Sequence, residues 1–182
     1  MIVWRHPRPD GVAGRCIGRS DVPVDPRKAK RLAHRIRQRA RREGLPRVVW
    51  TSPLWRSASV GRWLARWGWR HGVDTRLSEL DFGDWDGRTW ASIGHAQVAL
   101  WVEAFATHAP GGGESVSQLM ARCQAFLAEH GHVCVVSHAG WINAAQRVLA
   151  GLPPPTAADW PAPVAYSAAV ELRRSAAGAE SQ

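Results

Sequence analysis

The run Val133-Cys134-Val135-Val136 is apolar at every position, where a strand with one wetted face would alternate. Such a run reads as a strand buried on both sides, and it requires a sheet covered by two outer layers. It ends in Ser137-His138-Ala139-Gly140, so the chain leaves the core at a polar, small-residue corner. Two earlier segments share this design. Met1 to Arg5 is short and apolar and ends at His6-Pro7, where the proline pushes His6 toward extended geometry. Arg47-Val48-Val49-Trp50-Thr51 reads as a strand and ends at Ser52-Pro53.

Helical periodicity lies between these strands. Ala29, Leu32, Ala33, Ile36 and Ala40 form one apolar stripe over Arg27 to Arg42, with Gly44 and Pro46 as the stop. A Trp-rich helix is expected from Leu54 to Trp67, with Ser52 before Pro53 as its N-cap pair. Helices are also expected over Thr89 to Ala106 and Glu114 to Glu129, separated by the turn Pro110-Gly111-Gly112-Gly113, and again over Trp141 to Leu149. Val164 to Leu172 reads as a last strand. Strands alternating with helices predict a three-layer α/β/α sandwich with a mostly parallel central sheet. At 182 residues the chain suits one core. A single domain is expected over residues 1–174, with a disordered tail over Ser175 to Gln182.

Net charge is +9, and it is unevenly spread: residues 1–76 hold 19 Lys or Arg against 5 acids, and the remainder 5 against 10. Such a field favours anionic partners. Arg27 to Arg42 alone carries nine basic residues, which raises a nucleic-acid-binding reading, but basic residues opposite an apolar stripe are more simply a solvated face. Cys16, Cys123 and Cys134 are widely separated and read as reduced thiols. His130 and His132 lack a third ligand nearby, so no metal site is expected. The first residues lack the apolar core of a secretory signal, and no apolar run reaches membrane-spanning length, so a cytoplasmic protein is expected.

Ligands of open α/β sheets bind beyond the carboxyl ends of the strands. Arg5 and His6, Arg56 (four residues after Ser52), and His138 therefore converge on one crevice although they are distant in sequence. The dipeptide alone says little, because 22 arginines and 8 histidines produce about one Arg-His pair by chance. Arg70-His71 is a second copy, placed after the Trp-rich helix and expected to be solvated.

Arg5-His6, Ser52-Pro53-Leu54-Trp55-Arg56, the segment from Glu79-Leu80-Asp81-Phe82-Gly83 to Asp84-Trp85-Asp86-Gly87, and Ser137-His138-Ala139-Gly140 together resemble the histidine phosphatase (phosphoglycerate mutase-like) superfamily. Gly18-Arg19-Ser20-Asp21-Val22-Pro23-Val24, the Asp-Phe-Gly-x-Trp-x-Gly form and Pro110-Gly111-Gly112 followed by Gly113-Glu114-Ser115 are most similar to its α-ribazole phosphatase branch. Pro7, Ala139, Asp86 and the extra glycine in the 110–113 turn depart from the usual pattern.

The resemblance implies a metal-independent phosphomonoesterase with no cofactor and a small phosphate ester as partner, with α-ribazole 5′-phosphate of cobalamin nucleotide-loop assembly as the leading substrate. It implies His6 as nucleophile, Glu79 as proton donor, and Arg5, Arg56 and His138 as phosphoryl ligands. The side-chain chemistry agrees: guanidinium forks suit a phosphoryl dianion, a neutral imidazole attacks phosphorus, and a carboxyl group protonates the departing oxygen. Mutases of this superfamily add segments that shield the phosphohistidine, for which this chain has little room. A silent scaffold would be expected to lack one of these five residues, and all are present.

Overall fold

Val3 and Val135 face one layer of helices, while Ile2, Trp4, Cys134 and Val136 face the other, so alternate side chains of the same strands feed two separate cores. A computed structural model describes residues 1–173; the tail expected over 175–182 lies outside the described residues. Five strands, β1 (Ile2–Arg5), β2 (Val48–Thr51), β3 (Arg70–Val73), β4 (Cys134–Ser137) and β5 (Ala169–Glu171), form one sheet in the order β3-β2-β4-β1-β5. All neighbours are parallel except β5, which runs antiparallel to β1. Helices α1 (Pro26–Arg42) and α2 (Trp55–Ala65) cover one face. The other is covered by α5 (Val116–Glu129) and α6 (Ala139–Leu149), with the short α3 (Trp90–Ile93) and α4 (His95–Glu103) in the long connection before α5. This is the three-layer α/β/α arrangement expected.

Local chemistry explains several boundaries. Asp25 accepts from the Arg27 amide and Pro26 opens α1; Gly44, at φ 64°, closes it, with the Leu45 amide reaching back to the Ala40 carbonyl. The stripe read from sequence is the set of residues that α1 buries: Ala29, Leu32, Ala33, Ile36 and Ala40. Ser115 and Gln118 form a reciprocal capping box at the start of α5. Cys16, Cys123 and Cys134 are buried free thiols, and burial pushes the Cys134 thiol up to about 11.

Four readings need correction. Arg70 is exposed as expected, but Arg70-His71 opens β3, an edge strand with little apolar pattern, and His71 is half-buried. His71 bonds Thr51 Oγ1 through Nε2 at 2.8 Å. The helix expected over Thr89 to Ala106 is broken at Gly94, whose φ of 94° no helix accommodates. The strand expected over Val164 to Leu172 narrows to Ala169–Glu171. Ser52 does not cap α2: Leu54 holds that position without a side-chain bond, and the Asp21 carboxylate accepts from the Trp55 amide instead.

Candidate active site

Parallel pairing sets Arg5 opposite Ser137 and Thr51 opposite Val136, so the residues that follow, His6, His138 and Ser52, emerge side by side at one end of the sheet. The His6 amide donates to the Ser137 carbonyl at 3.0 Å, and the His6 and His138 ring centroids lie 4.9 Å apart. His6 is 5% exposed and His138 fully buried.

The two imidazoles are held by opposite nitrogens. His6 Nδ1 lies 2.8 Å from the Pro7 carbonyl. A carbonyl only accepts, so Nδ1 carries the proton and Nε2 keeps its lone pair. His138 Nε2 lies 2.8 Å from the Ser52 hydroxyl, and its buried Nδ1 has no partner among the described residues. A Ser52 hydroxyl that donates to Nε2 leaves Nδ1 as the protonated donor. Burial, then the Arg56 charge, holds both rings well below the usual imidazole pKa, so both stay neutral near pH 7.

Arg5 and Arg56 flank the pair. Arg5 donates from Nη1 to the Val164 carbonyl at 2.6 Å and stacks 3.6 Å above the Tyr166 ring, while its buried Nε has no partner. Arg56 projects from the first turn of α2, is 1% exposed, and donates to the carbonyls of Ser20 and Gly18. Asp86 holds that loop from behind, accepting from the amides of Gly18 at 3.0 Å and Ser20 at 2.7 Å. Burial lowers both guanidinium pKa values, opposed for Arg5 by Tyr166 and then Glu79, and for Arg56 by Glu79 first.

Glu79 comes from a loop. Its Oε2 accepts from the Gly140 amide in the first turn of α6 at 3.1 Å, and Oε1 accepts from the Leu80 amide at 3.0 Å. A side chain at position 140 would collide with Oε1, so Gly140 is what lets the carboxylate reach α6. The loop is itself clamped. Arg122 on α5 donates from Nη1 to the carbonyls of Arg76 and Ser78, each at 2.7 Å, and from Nη2 to the Glu79 carbonyl at 3.0 Å. It also forks onto Glu114 at 2.7 and 2.9 Å, and the Glu114 amide donates to Asp81 at 2.8 Å. Gly111 and Gly113 then pack against the backbone of Asp81 and Phe82 with no space for a side chain, which accounts for the glycine-rich turn.

The structure thus brings Arg5, His6, Arg56, Glu79 and His138 together. Sequence reasoning gave no role to Tyr166, Arg122 or Gly140. Tyr166 is the single tyrosine, a signal of rarity only; Arg122 and Gly140 carry no signal without knowledge of what folds against them. Among the described residues, no cluster of His, Cys, Asp and Glu is arranged to hold a metal ion, and no helix is long and apolar enough to cross a membrane.

Residues 1–180 match the pattern of the histidine phosphatase superfamily (branch 1). A glucosyl-3-phosphoglycerate phosphatase of Mycobacterium tuberculosis is 39% identical over 108 residues, a match spanning 50% of this chain and 46% of that protein. The chain therefore spans about half the length of the curated relatives that it matches. Among solved structures, a mycobacterial glucosyl-3-phosphoglycerate phosphatase in complex with VO3 superposes with a TM-score of 0.74 at 28% identity, covering 93% of this chain and 88% of that one. The α-ribazole phosphatase of Shigella flexneri superposes with a TM-score of 0.72 at 22% identity, over 96% and 92% of the two chains, a likeness of fold alone.

Proposed function

Because the chain belongs to the histidine phosphatase superfamily (branch 1), we propose that it hydrolyses phosphomonoesters without a metal, through a phosphohistidine on His6. The observation that carries this reading is the Nδ1 bond to Pro7, which leaves Nε2 unprotonated on a ring that feels the charges of Arg56 and Arg5. Nε2 attacks phosphorus and the ester P–O bond breaks, while Glu79 gives its proton to the leaving oxygen. Water then attacks the phosphoryl group, Glu79 takes the water proton, and the P–N bond breaks to release phosphate. The open Nε of Arg5, the charge of Arg56 and the Nδ1 proton of His138 hold the phosphoryl oxygens, where charge develops.

Phosphate release from an aryl phosphate in excess EDTA tests this. Turnover that survives the chelator and is lost in His6→Ala supports the reading; turnover retained by the variant overturns it.

For the substrate's organic half, the Asp-Phe-Gly-x-Trp-x-Gly and Pro-Gly-Gly motifs support α-ribazole 5′-phosphate, and with it a place in cobalamin assembly. The 39% identity to the mycobacterial enzyme supports a second reading, glucosyl-3-phosphoglycerate. Comparing kcat/KM for the two esters chooses between them.

A further inference from the structure

Beside Glu79, bounded by the start of α6 and the 160–163 segment, lies a cavity of about 250 Å³. Its wall is a continuous aromatic surface: Phe82 to Trp101 at 5.8 Å, Trp101 to Phe105 at 5.1 Å and Phe105 to Trp160 at 5.6 Å between ring centroids. Glu79 supplies the one ionisable side chain in its lining, and no cation lines it.

Two residues of that lining carry polar atoms that present no surface to it. Asn143, 3% exposed, donates through Nδ2 to the Pro161 carbonyl at 2.9 Å, and its Oδ1, like Trp101 Nε1, is buried without a partner among the described residues. The cavity therefore offers a ligand aromatic faces, with Glu79 at one edge.

If Glu79 protonates the leaving oxygen, the group attached to that oxygen must extend past Glu79. The geometry points to this cavity as the leaving-group subsite, taking an uncharged, aryl-bearing alcohol whose ring packs on Phe82, Trp101, Phe105 and Trp160. The inference rests on the phosphatase reading above and narrows its substrate class. An anionic leaving group such as a phosphoglycerate finds no counter-charge among the described residues of that lining.

The test compares phenethyl phosphate with butyl phosphate, two alkyl esters whose oxygens leave with similar ease, so that any difference reads the organic group. We expect kcat/KM to favour phenethyl phosphate by about tenfold or more, the scale of burying one ring. Trp101→Ala and Trp160→Ala should each lower kcat/KM for phenethyl phosphate by a larger factor than for butyl phosphate, through KM more than kcat, a binding effect and not a catalytic one. Equal kcat/KM for the two esters in the unaltered protein overturns the subsite, as does an equal loss on both esters in the variants. Calorimetric binding of 2-phenylethanol, the product alcohol, reads the cavity without turnover. If aryl phosphate hydrolysis proves independent of His6, the phosphatase reading fails, and the subsite then stands or falls on whether 2-phenylethanol binds the unaltered protein and not Trp101→Ala.

Discussion

The groups proposed to hold phosphate and the group proposed to move the proton are anchored in different ways. Arg5, His6, Ser52 and His138 ride on the ends of β1, β2 and β4, where sheet pairing sets their spacing; the His6 amide is bonded directly to Ser137 on the neighbouring strand. Glu79 rides on a loop between two single 3-10 turns, Thr75–Leu77 and Gly83–Trp85, and its position depends on Arg122, Glu114 and Gly140, which belong to other segments. Chemistry that must place a phosphorus atom within tenths of an ångström is built on the rigid element, and chemistry that passes a proton is built on a loop braced from outside.

Removing each kind of group separates the two. His6→Ala should lower turnover of every ester by about 10³-fold or more, because the covalent route is lost whatever the leaving group. Glu79→Gln should lower turnover of an alkyl phosphate by about 10²-fold and that of p-nitrophenyl phosphate by less than tenfold, since nitrophenolate departs without a proton. Parallel steady-state kinetics on both esters check the pair; a uniform loss in Glu79→Gln would mean that the carboxylate serves phosphate binding.

The bracing itself is tested next. Gly140→Ala puts a methyl group into the space of Oε1, and Arg122→Lys keeps the charge but loses the fork that holds three carbonyls and Glu114. Each should reproduce the leaving-group signature of Glu79→Gln at about a tenth of its size. Arg122→Lys should also lower Tm, because its ion pair with Glu114 is largely buried, at 14% and 12% side-chain exposure. Loss of stability without the kinetic signature would make Arg122 structural only.

The smallest effect concerns pH. The folded state keeps His6 and His138 neutral well below pH 6.5, whereas the unfolded chain protonates them near that value. Stability should therefore be full above about pH 6.5 and fall as pH drops toward the lowered folded-state values, since the unfolded chain binds protons there that the native rings do not. Calorimetric Tm against pH should show this fall, flatter by a few degrees in His138→Asn. A slope unchanged by that substitution would place the titration elsewhere.

The same contrast explains what could be read from the chain. His6 and His138 were recognisable because each follows an apolar strand, a local pattern, and the α1 stripe was recognisable because periodicity is local too. The edge strand β3 was missed because Arg70-His71-Gly72-Val73 has no apolar alternation; its pairing with β2 comes from position, with Gly72 set flat against Trp50. Ser52 was read as a cap because local rules favour one, yet its hydroxyl is claimed by a histidine far along the chain. Arg122 and Tyr166 act wholly through distant contacts, which no window of sequence displays.

β1 lies between β4 and β5, so Ile2 pairs with Cys134 on one side and Glu171 on the other. During synthesis β1 emerges before both of its partners and waits for neighbours made more than a hundred residues later. Until then the nascent β1, apolar and unpaired, is a segment in need of shelter from wrong pairing. The sheet is complete on both sides of β1 only when β5 joins it.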